Sequence, residues 1–330
     1  MNNINSTGKS VKKRRIFRRP LRYFLILCLT FCAVAAGFFY FNIYFLLDKG
    51  VGPAGPNVPA KPFEQIWSET NILLIGIGDS ITQGFGASES FSYFERLINN
   101  PNGDSKDMIR KNLSIVFPNL KTKNVAVSST DSSQHLQQIQ KLEQQSPDVL
   151  GIVVMTTGGN DLIHSYGNKP PKELAMYGAT IKQAEPWIKN FEVRLDEMII
   201  GIKNKFPGGC HIFLANIYDP SDGKGNTASW LTGLPAWQDG LSILDAYNKI
   251  ISQCADKHDN VHLVNIHDAF IGHGINCKKF WIRGYSFSDP HYWYSIIEDP
   301  NDRGYDAIRR LFLIEMIKAF FNNQLSKASN

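Results

Sequence analysis

The chain has little cysteine and little charge: it has five cysteines among 330 residues, and charged residues make up 20% of it. A small disulfide-held domain is therefore excluded, and so is a disordered polyelectrolyte, because 43% of the residues are hydrophobic and can form a core. The sequence also lacks CxxC and HExxH spacings, which bind metals. We therefore expect neither a metal nor a cofactor. Cys210, Cys254 and Cys277 allow one disulfide, with any pairing.

Acidic residues are absent from the first 22 positions, which carry eight basic residues. The net charge of +5 is therefore a property of this segment, and the rest of the chain has 27 basic residues against 30 acidic ones. A slightly acidic body gives no electrostatic support for nucleic-acid binding. We expect no nucleic-acid partner.

A run of 25 uncharged residues, 23–47, follows the basic segment and is long enough to cross a bilayer as a helix. The positive-inside rule then makes residues 1–22 a cytoplasmic tail and places residues 48–330 outside the cytoplasm. An uncleaved signal anchor is predicted. The alternative is a secreted protein cleaved near Ala35, since Ala33 to Ala35 resemble a cleavage site. Residues 48–62 are rich in glycine and proline and predict a stalk, followed by one domain at 63–330.

Short apolar runs alternate with helical periodicity through this domain. The predicted strands are residues 71–76, 124–128, 149–156, 211–217 and 261–266. The predicted helices are residues 91–98, 134–145, 187–206, 241–257 and 303–321. Continuous apolar strands separated by helices indicate a three-layer α/β/α fold with a doubly wound parallel sheet of about five strands.

Ligands bind outside the carboxyl ends of the strands in such sheets, so the residues that follow each strand are the candidates for chemistry. Ser80 follows the first strand in the sequence GDSI, where a tight turn would expose it as a nucleophile. Asn160 follows the third strand in GGND, and its amide can donate to a developing oxyanion. The alternative for Ser80 is an ordinary helix cap.

These two blocks, about 80 residues apart, resemble the GDSL-like lipases and acylhydrolases, the SGNH hydrolases, over most of residues 70–320. The resemblance implies a flavodoxin-like fold, and it makes Ser80 the nucleophile and a backbone oxyanion donor. Asn160 becomes the side-chain donor, with Asp79 and Gly159 in supporting positions. The family usually has glycine at a second backbone donor, where this chain has Ser129. The backbone N–H of Ser129 can still donate if the turn tolerates a Cβ at this position.

The resemblance also implies an Asp-x-x-His block before the last helix, and here the chain departs from the pattern. The matching stretch is Ser288-Asp289-Pro290-His291, which makes His291 the expected base and Asp289 the expected orienting acid. Further on, Asp299-Pro300-Asn301 is similar to the family's lead into the last helix, with aspartate where histidine would stand. Residues 292–298 are then an insertion after the base. Asp299 and Asp302 are alternative candidates to Asp289 for the acid that orients His291.

The sequence also allows predictions for two other histidines. His267 and Asp268 follow the fifth strand and form an alternative base and acid pair. His135 lies among glutamines in a predicted helix, and we expect it to be exposed.

The sequence thus predicts a membrane-anchored, extracytoplasmic serine esterase that cleaves a small-molecule, lipid or carbohydrate ester. An O-acyltransferase acting on a carbohydrate and a binding module without catalytic activity remain alternatives. Two long loops and the last loop carry many aromatic side chains, which can either bind substrate or pack the loops. These are Tyr166, Tyr177, Trp230, Trp237, Trp281, Tyr285, Tyr292, Trp293 and Tyr294.

Overall fold

The computed structural model describes residues 18–41, 47–225, 234–295 and 297–322, and the chain divides into two compact units, residues 1–48 and residues 49–330. The first unit contains one helix, α1 (Arg18–Tyr40). Its stretch Pro20–Tyr40 is long and apolar enough to cross a membrane, a property that anchors share with signal sequences. Residues 42–46 of the predicted span lie outside the described residues.

The second unit contains a sheet of five parallel strands, which confirms the predicted doubly wound α/β fold. The strands are β1 (Asn71–Ile77), β2 (Leu120–Asn124), β3 (Val149–Met155), β4 (Cys210–Ala215) and β5 (Val261–Val264). Their order is β2-β1-β3-β4-β5. The chain therefore reverses its direction of travel across the sheet between β1 and β3, and this is the switch point at which such sheets bind ligands.

Helices flank the sheet and shape its carboxyl edge. In the described part of this unit they are α2 (Ser80–Gln83), α3 (Tyr93–Ile98), α4 (Leu113–Val116), α5 (Ser132–Gln140), α6 (Gly159–Ile163), α7 (Ile181–Lys205), α8 (Gly240–Lys257), α9 (Ile266–Phe270) and α10 (Asp302–Met316). A π-helical segment, Ile317–Asn322, continues α10. The predicted helices are thus present with shifted ends.

Strand β2 lies four residues before its predicted position. Its sequence, LKTKN, is polar and largely exposed because β2 is an edge strand. The apolar stretch predicted as this strand, residues 124–128, instead forms most of the loop that follows it. A search for apolar runs finds buried strands and misses a solvated edge strand.

The central strands are apolar because helices cover both faces of the sheet. On one face, Val153 and Met155 of β3 belong to a core cluster shared with α5, α7 and α8, in which Phe191 and Tyr247 stack at 4.1 Å. On the other face, Tyr93 of α3 stacks on Phe312 of α10 at 4.9 Å. Cys210 and Cys254 are buried free thiols, and burial raises the pKa of each to about 11.

The predicted stalk packs against α10. Arg303 donates to the carbonyl oxygens of Lys49, Gly52 and Pro53 at 3.0–3.3 Å. Ala54 N–H donates to Asp306 at 3.2 Å, and both residues are buried. Residues 49–54 therefore belong to the folded unit.

A buried cluster of charges fixes α10 to the rest of the unit. Arg309 is fully buried and donates to Asp104 at 2.6 and 3.1 Å, and it also pairs with Asp306. Asp306 in turn accepts from Arg310 Nε at 3.0 Å and lies 3.8 Å from Arg96. Buried charges of this kind are tolerated only when each is paired.

Replacing Asp306 with alanine should therefore destabilise the fold strongly, because three buried arginines lose their shared anion. We expect the free energy of unfolding to fall by roughly 3–5 kcal/mol. Urea unfolding of the full chain in detergent, followed by tryptophan fluorescence, measures the change. The control is Glu315→Gln, which breaks a partly exposed pair with Lys318 (2.7 Å) and should cost less than about 1 kcal/mol. Equal losses in the two variants would contradict a structural role for the buried cluster.

Candidate active site

The carboxyl ends of β1 and β3 lie side by side at the switch point. Ile77 pairs with Met155 in the sheet register, Ser80 begins the helix after β1, and Asn160 lies in the first turn of the helix after β3. The sheet register thus brings these two predicted residues to the same crevice. Both line a cavity of about 200 Å³.

The turn that carries Ser80 is fixed to the end of β3. Asp79 Oδ1 accepts from Ile81 N–H at 3.1 Å, which caps α2, and from the Thr156 hydroxyl at 2.8 Å. Gly78 has a φ of +140°, and a Cβ there would lie 2.4 Å from the Thr156 carbonyl oxygen. Glycine is therefore required at this close approach, and the serine is held on a rigid turn.

Asp79 supports Ser80 as a buried acid. It is 4% exposed, and burial raises its pKa to about 6, while hydrogen bonds from Thr156 and Ile81 oppose the rise. Repulsion from Asp299, which lines the same cavity, raises it further. Gly159 also lies nearby, since a Cβ on it would be 3.9 Å from Asp79 Oδ2.

The three expected oxyanion donors differ in how they are held. Asn160 Nδ2 donates to the Thr130 carbonyl oxygen at 2.8 Å, which orients the amide and leaves its second N–H available. The N–H groups of Ser80 and Ser129 donate to no group in the described part of the chain. Ser129 is exposed, is not among the cavity-lining residues, and has a left-handed φ of 62°. A position usually filled by glycine is thus left-handed here, with a serine in it.

The expected base and acid lie elsewhere. Asp289 forms a two-pronged pair with Arg303 at 2.8 and 2.9 Å, and the His291 ring packs against Gly50. Neither residue lines the cavity. The structure therefore does not bring His291 and Asp289 to Ser80, and both contribute to the contact with residues 49–53.

The way in which the last helix is capped explains this displacement. Asn301, and not a residue near His291, caps α10 by accepting from Arg303 and Gly304 N–H at 2.9 and 3.1 Å. The lead into the last helix is therefore Asp299-Pro300-Asn301. The residue that enters the crevice is Asp299, which lines the cavity and is 4% exposed.

Asp299 is the acid of the last loop that shares the cavity with Ser80. Burial raises the pKa of its carboxyl group, and the Ser80 side chain partly opposes that rise. Its Oδ1 atom is buried and has no hydrogen-bond partner among the described residues. Asp302, the other rival, instead accepts from Ser88 N–H and hydroxyl at 2.7 Å each.

No histidine lines the cavity in the described ranges. His267 Nδ1 lies 2.8 Å from the Ile217 carbonyl oxygen, so His267 and Asp268 supply no alternative pair there. His135 is fully buried, contrary to expectation, between the hydroxyl groups of Thr130 (3.0 Å) and Thr157 (2.8 Å). Burial lowers its pKa to about 4, so at neutral pH it is an uncharged part of the wall that supports Thr157.

The aromatic residues divide between cavity and core. Tyr166, Tyr177 and Trp237 line the cavity, whereas Tyr292, Trp293 and Tyr294 are buried in the domain. Trp281 is 65% exposed, and Trp230 lies outside the described residues. Sequence reasoning did not identify Thr156 or Glu298 as cavity residues, although Thr156 ends the predicted third strand and Glu298 precedes Asp299.

One group of possible metal ligands exists among the described residues, Asp196, Cys254 and His258, and none of them lines the cavity. Asp196 already binds Lys257 Nζ at 2.9 Å and His258 Nε2 at 2.6 Å. The lysine supplies the positive charge that a metal ion would bring.

A serine on a rigid turn after β1, sharing a crevice with an asparagine amide after β3, defines the class of α/β serine hydrolases. A model of the GDSL-like Lipase/Acylhydrolase family matches residues 77–307. The chain belongs to this family. It is a carboxylic ester hydrolase, as the sequence predicted.

Solved structures similar to the chain include an acetylxylan esterase from Geobacillus stearothermophilus, Axe2, with 18% identity and a TM-score of 0.45 over 74% of this chain and 94% of that one. Another is a putative GDSL-like lipase from Parabacteroides merdae, with 15% identity and a TM-score of 0.46 over 75% of this chain and 96% of that one. No curated protein matches the chain significantly.

The left-handed backbone at Ser129 gives a stability prediction. Ser129→Gly should leave the free energy of unfolding unchanged or raise it by up to about 1 kcal/mol, because relief of strain offsets the extra freedom of the unfolded chain. Ser129→Val should lower it by roughly 1–3 kcal/mol, since a β-branched residue fits poorly there. Urea unfolding compares the two. A valine variant as stable as the wild type would contradict the left-handed conformation.

Proposed function

We propose that the chain is a membrane-anchored serine esterase in which Ser80 attacks the ester carbonyl carbon. The Ser80 N–H, the Ser129 N–H and the Asn160 amide then receive the negative charge that develops on the carbonyl oxygen. The observation that carries this proposal is the shared cavity of Ser80 and Asn160, with the amide oriented by Thr130. Water releases the acyl group in a second step.

The cavity favours an ester with an uncharged, apolar acyl group. Much of its wall is aliphatic or aromatic, as formed by Leu162, Ile163, Leu241, Leu244, Ile275 and Trp237. Its acidic side chains, which include Asp79, Glu298 and Asp299, would repel an anionic substrate. A short-chain neutral ester, such as p-nitrophenyl butyrate, is therefore the substrate of choice for an assay.

Loss of the nucleophile should abolish hydrolysis. For the purified full chain in detergent, Ser80→Ala should lower kcat/KM on p-nitrophenyl butyrate by roughly 10³-fold or more. Asn160→Ala should lower kcat by about 10²–10³-fold, the usual cost of one oxyanion donor. Asn204→Ala, the same change at an exposed helical position, is the control and should leave the rate unchanged.

A fluorophosphonate probe adds a readout that needs no substrate, because it labels an activated serine. The wild type should be labelled and Ser80→Ala should not. Full activity in Ser80→Ala would refute the nucleophile. A wild type that neither reacts with the probe nor hydrolyses esters would favour a binding module.

The second part of the proposal is that α1 anchors the domain outside the cytoplasm. It is supported by the apolar stretch Pro20–Tyr40 and by the basic segment that precedes it. The full chain should remain in the membrane fraction after an alkaline carbonate wash. In right-side-out vesicles, an added protease should digest residues 49–330. A soluble form that begins near residue 36 would instead identify α1 as a cleaved signal sequence.

A further inference from the structure

The cavity contains a buried carboxyl oxygen that has no hydrogen-bond partner in the described part of the chain. Four acidic residues line the cavity in the described part of the chain: Asp79, Asp219, Glu298 and Asp299. Three of them are occupied by donors. Asp79 caps α2 and binds Thr156, Asp219 accepts from Ser221 and Gly223 N–H at 2.8 and 2.6 Å, and Glu298 accepts from the Tyr166 hydroxyl.

Asp299 differs from the other three. It is 4% exposed, its Oδ1 atom has no partner in the described chain, and it lines the same cavity as Ser80. A buried, unpaired carboxyl oxygen is costly and calls for an explanation. A role of the Asp299 carboxylate as proton acceptor for the Ser80 hydroxyl group would explain the unpaired oxygen.

The main chain holds Asp299 in place. Its carbonyl oxygen accepts from Ser295 N–H at 2.8 Å and from the Ser295 hydroxyl at 3.1 Å. Pro300, the next residue, forms a bridge with Tyr294, and Asn301 then caps α10. These contacts fix the main chain at Asp299, and a fixed main chain restricts where its carboxyl group can lie, as catalytic geometry requires.

We propose that Asp299 is the general base of this hydrolase and that it acts directly on Ser80, in place of an imidazole. The inference rests on the proposed function, because it needs Ser80 as the nucleophile. It assigns to the site a catalytic pair of serine and carboxylate.

The proton moves through Asp299 in both halves of the reaction. As the Ser80 Oγ–carbon bond forms, the Oγ proton passes to the Asp299 carboxylate and the carbonyl oxygen becomes an oxyanion. When the oxyanion collapses, the bond to the leaving alkoxide breaks and Asp299 returns the proton to give an alcohol. Asp299 then accepts a proton from water as the hydroxide adds to the acyl-serine, and it returns that proton to Ser80 Oγ as the carboxylic acid leaves.

A carboxylate is a weaker base than imidazole, but the surroundings of Asp299 reduce the difference in basicity. The titratable groups that face it are Asp79, Glu298, Tyr166, Tyr218 and Tyr305. No lysine, arginine or histidine lines the cavity in the part of the chain that the structure describes. Burial raises the pKa of Asp299, and a higher pKa makes its carboxylate a better proton acceptor.

The test compares the two candidate bases in the full chain, with p-nitrophenyl butyrate as substrate. Asp299→Asn keeps the size of the side chain and removes the proton acceptor, so kcat/KM should fall by about 10²–10⁴-fold. His291→Gln should stay within a few-fold of the wild type. Asp256→Asn, the same chemical change at an exposed position, is the control and should have no effect.

Chemical rescue separates a lost base from a damaged fold. In Asp299→Gly, added sodium formate can occupy the vacated space as a small carboxylate, and it should restore activity at least tenfold. It should do nothing for Ser80→Ala. Unfolding in urea checks that the Asp299 variants are folded.

Each outcome decides between the hypotheses. Loss in Asp299→Asn with rescue of Asp299→Gly by formate supports the serine–carboxylate pair. Ser80-dependent hydrolysis that survives Asp299→Asn but is lost in His291→Gln overturns it and leaves the proposed esterase function standing. Hydrolysis that does not depend on Ser80 overturns the proposed function itself, and the inference with it.

Discussion

The buried charges around α10 are the constraint on which much of this domain depends. Asp306 joins three arginines and also accepts a hydrogen bond from Ala54. It therefore ties the last helix to the segment that leads into the domain. The same helix is capped by Asn301, two residues after Asp299. Charge pairing in the core thus fixes the last helix and, with it, the position from which Asp299 enters the crevice.

The crevice itself follows from the order of the strands. Because β1 and β3 are neighbours, their carboxyl ends bring together two residues that are 80 positions apart in the sequence. Glycine at position 78 lets the two strand ends touch, and Thr156 links Asp79 to β3. The fold therefore holds Ser80 and Asn160 on rigid elements, whereas Asp299 comes from the segment that precedes α10.

The sequence predicted the fold class and the family, together with Ser80 and Asn160 as crevice residues, because each of these depends on local patterns. Apolar strands, helical periodicity and short blocks after strands are visible without any knowledge of long-range contacts. It failed for β2, whose polar edge sequence carries no apolar signal, and it failed for His135, whose burial depends on Thr130 and Thr157.

The placement of His291 shows a different limit of prediction from sequence. The stretch Ser288-Asp289-Pro290-His291 matches the family's Asp-x-x-His block imperfectly, and nothing in the sequence reveals that Asp289 is bound to Arg303. The sequence also contains Asp299-Pro300-Asn301, which is similar to the family's lead into the last helix. Whether Asp299 or His291 enters the crevice depends on which residue caps that helix. Helix capping by Asn301 decides this, and capping is a property of the folded backbone.

The burial of Asp79 also affects how the fold responds to protons. In the unfolded chain this group has its ordinary pKa of 3.8, whereas in the fold the pKa is about 6. Between these values the folded protein binds a proton that the unfolded chain has released, so this group stabilises the fold most below the lower value and loses that contribution as the pH rises through the higher one. Asp161 and Asp222, whose pKa values burial also raises to about 6, act in the same direction. Mild acid therefore relieves the electrostatic cost of burying these three carboxyl groups, the reverse of the usual effect of acid on salt-bridged carboxylates.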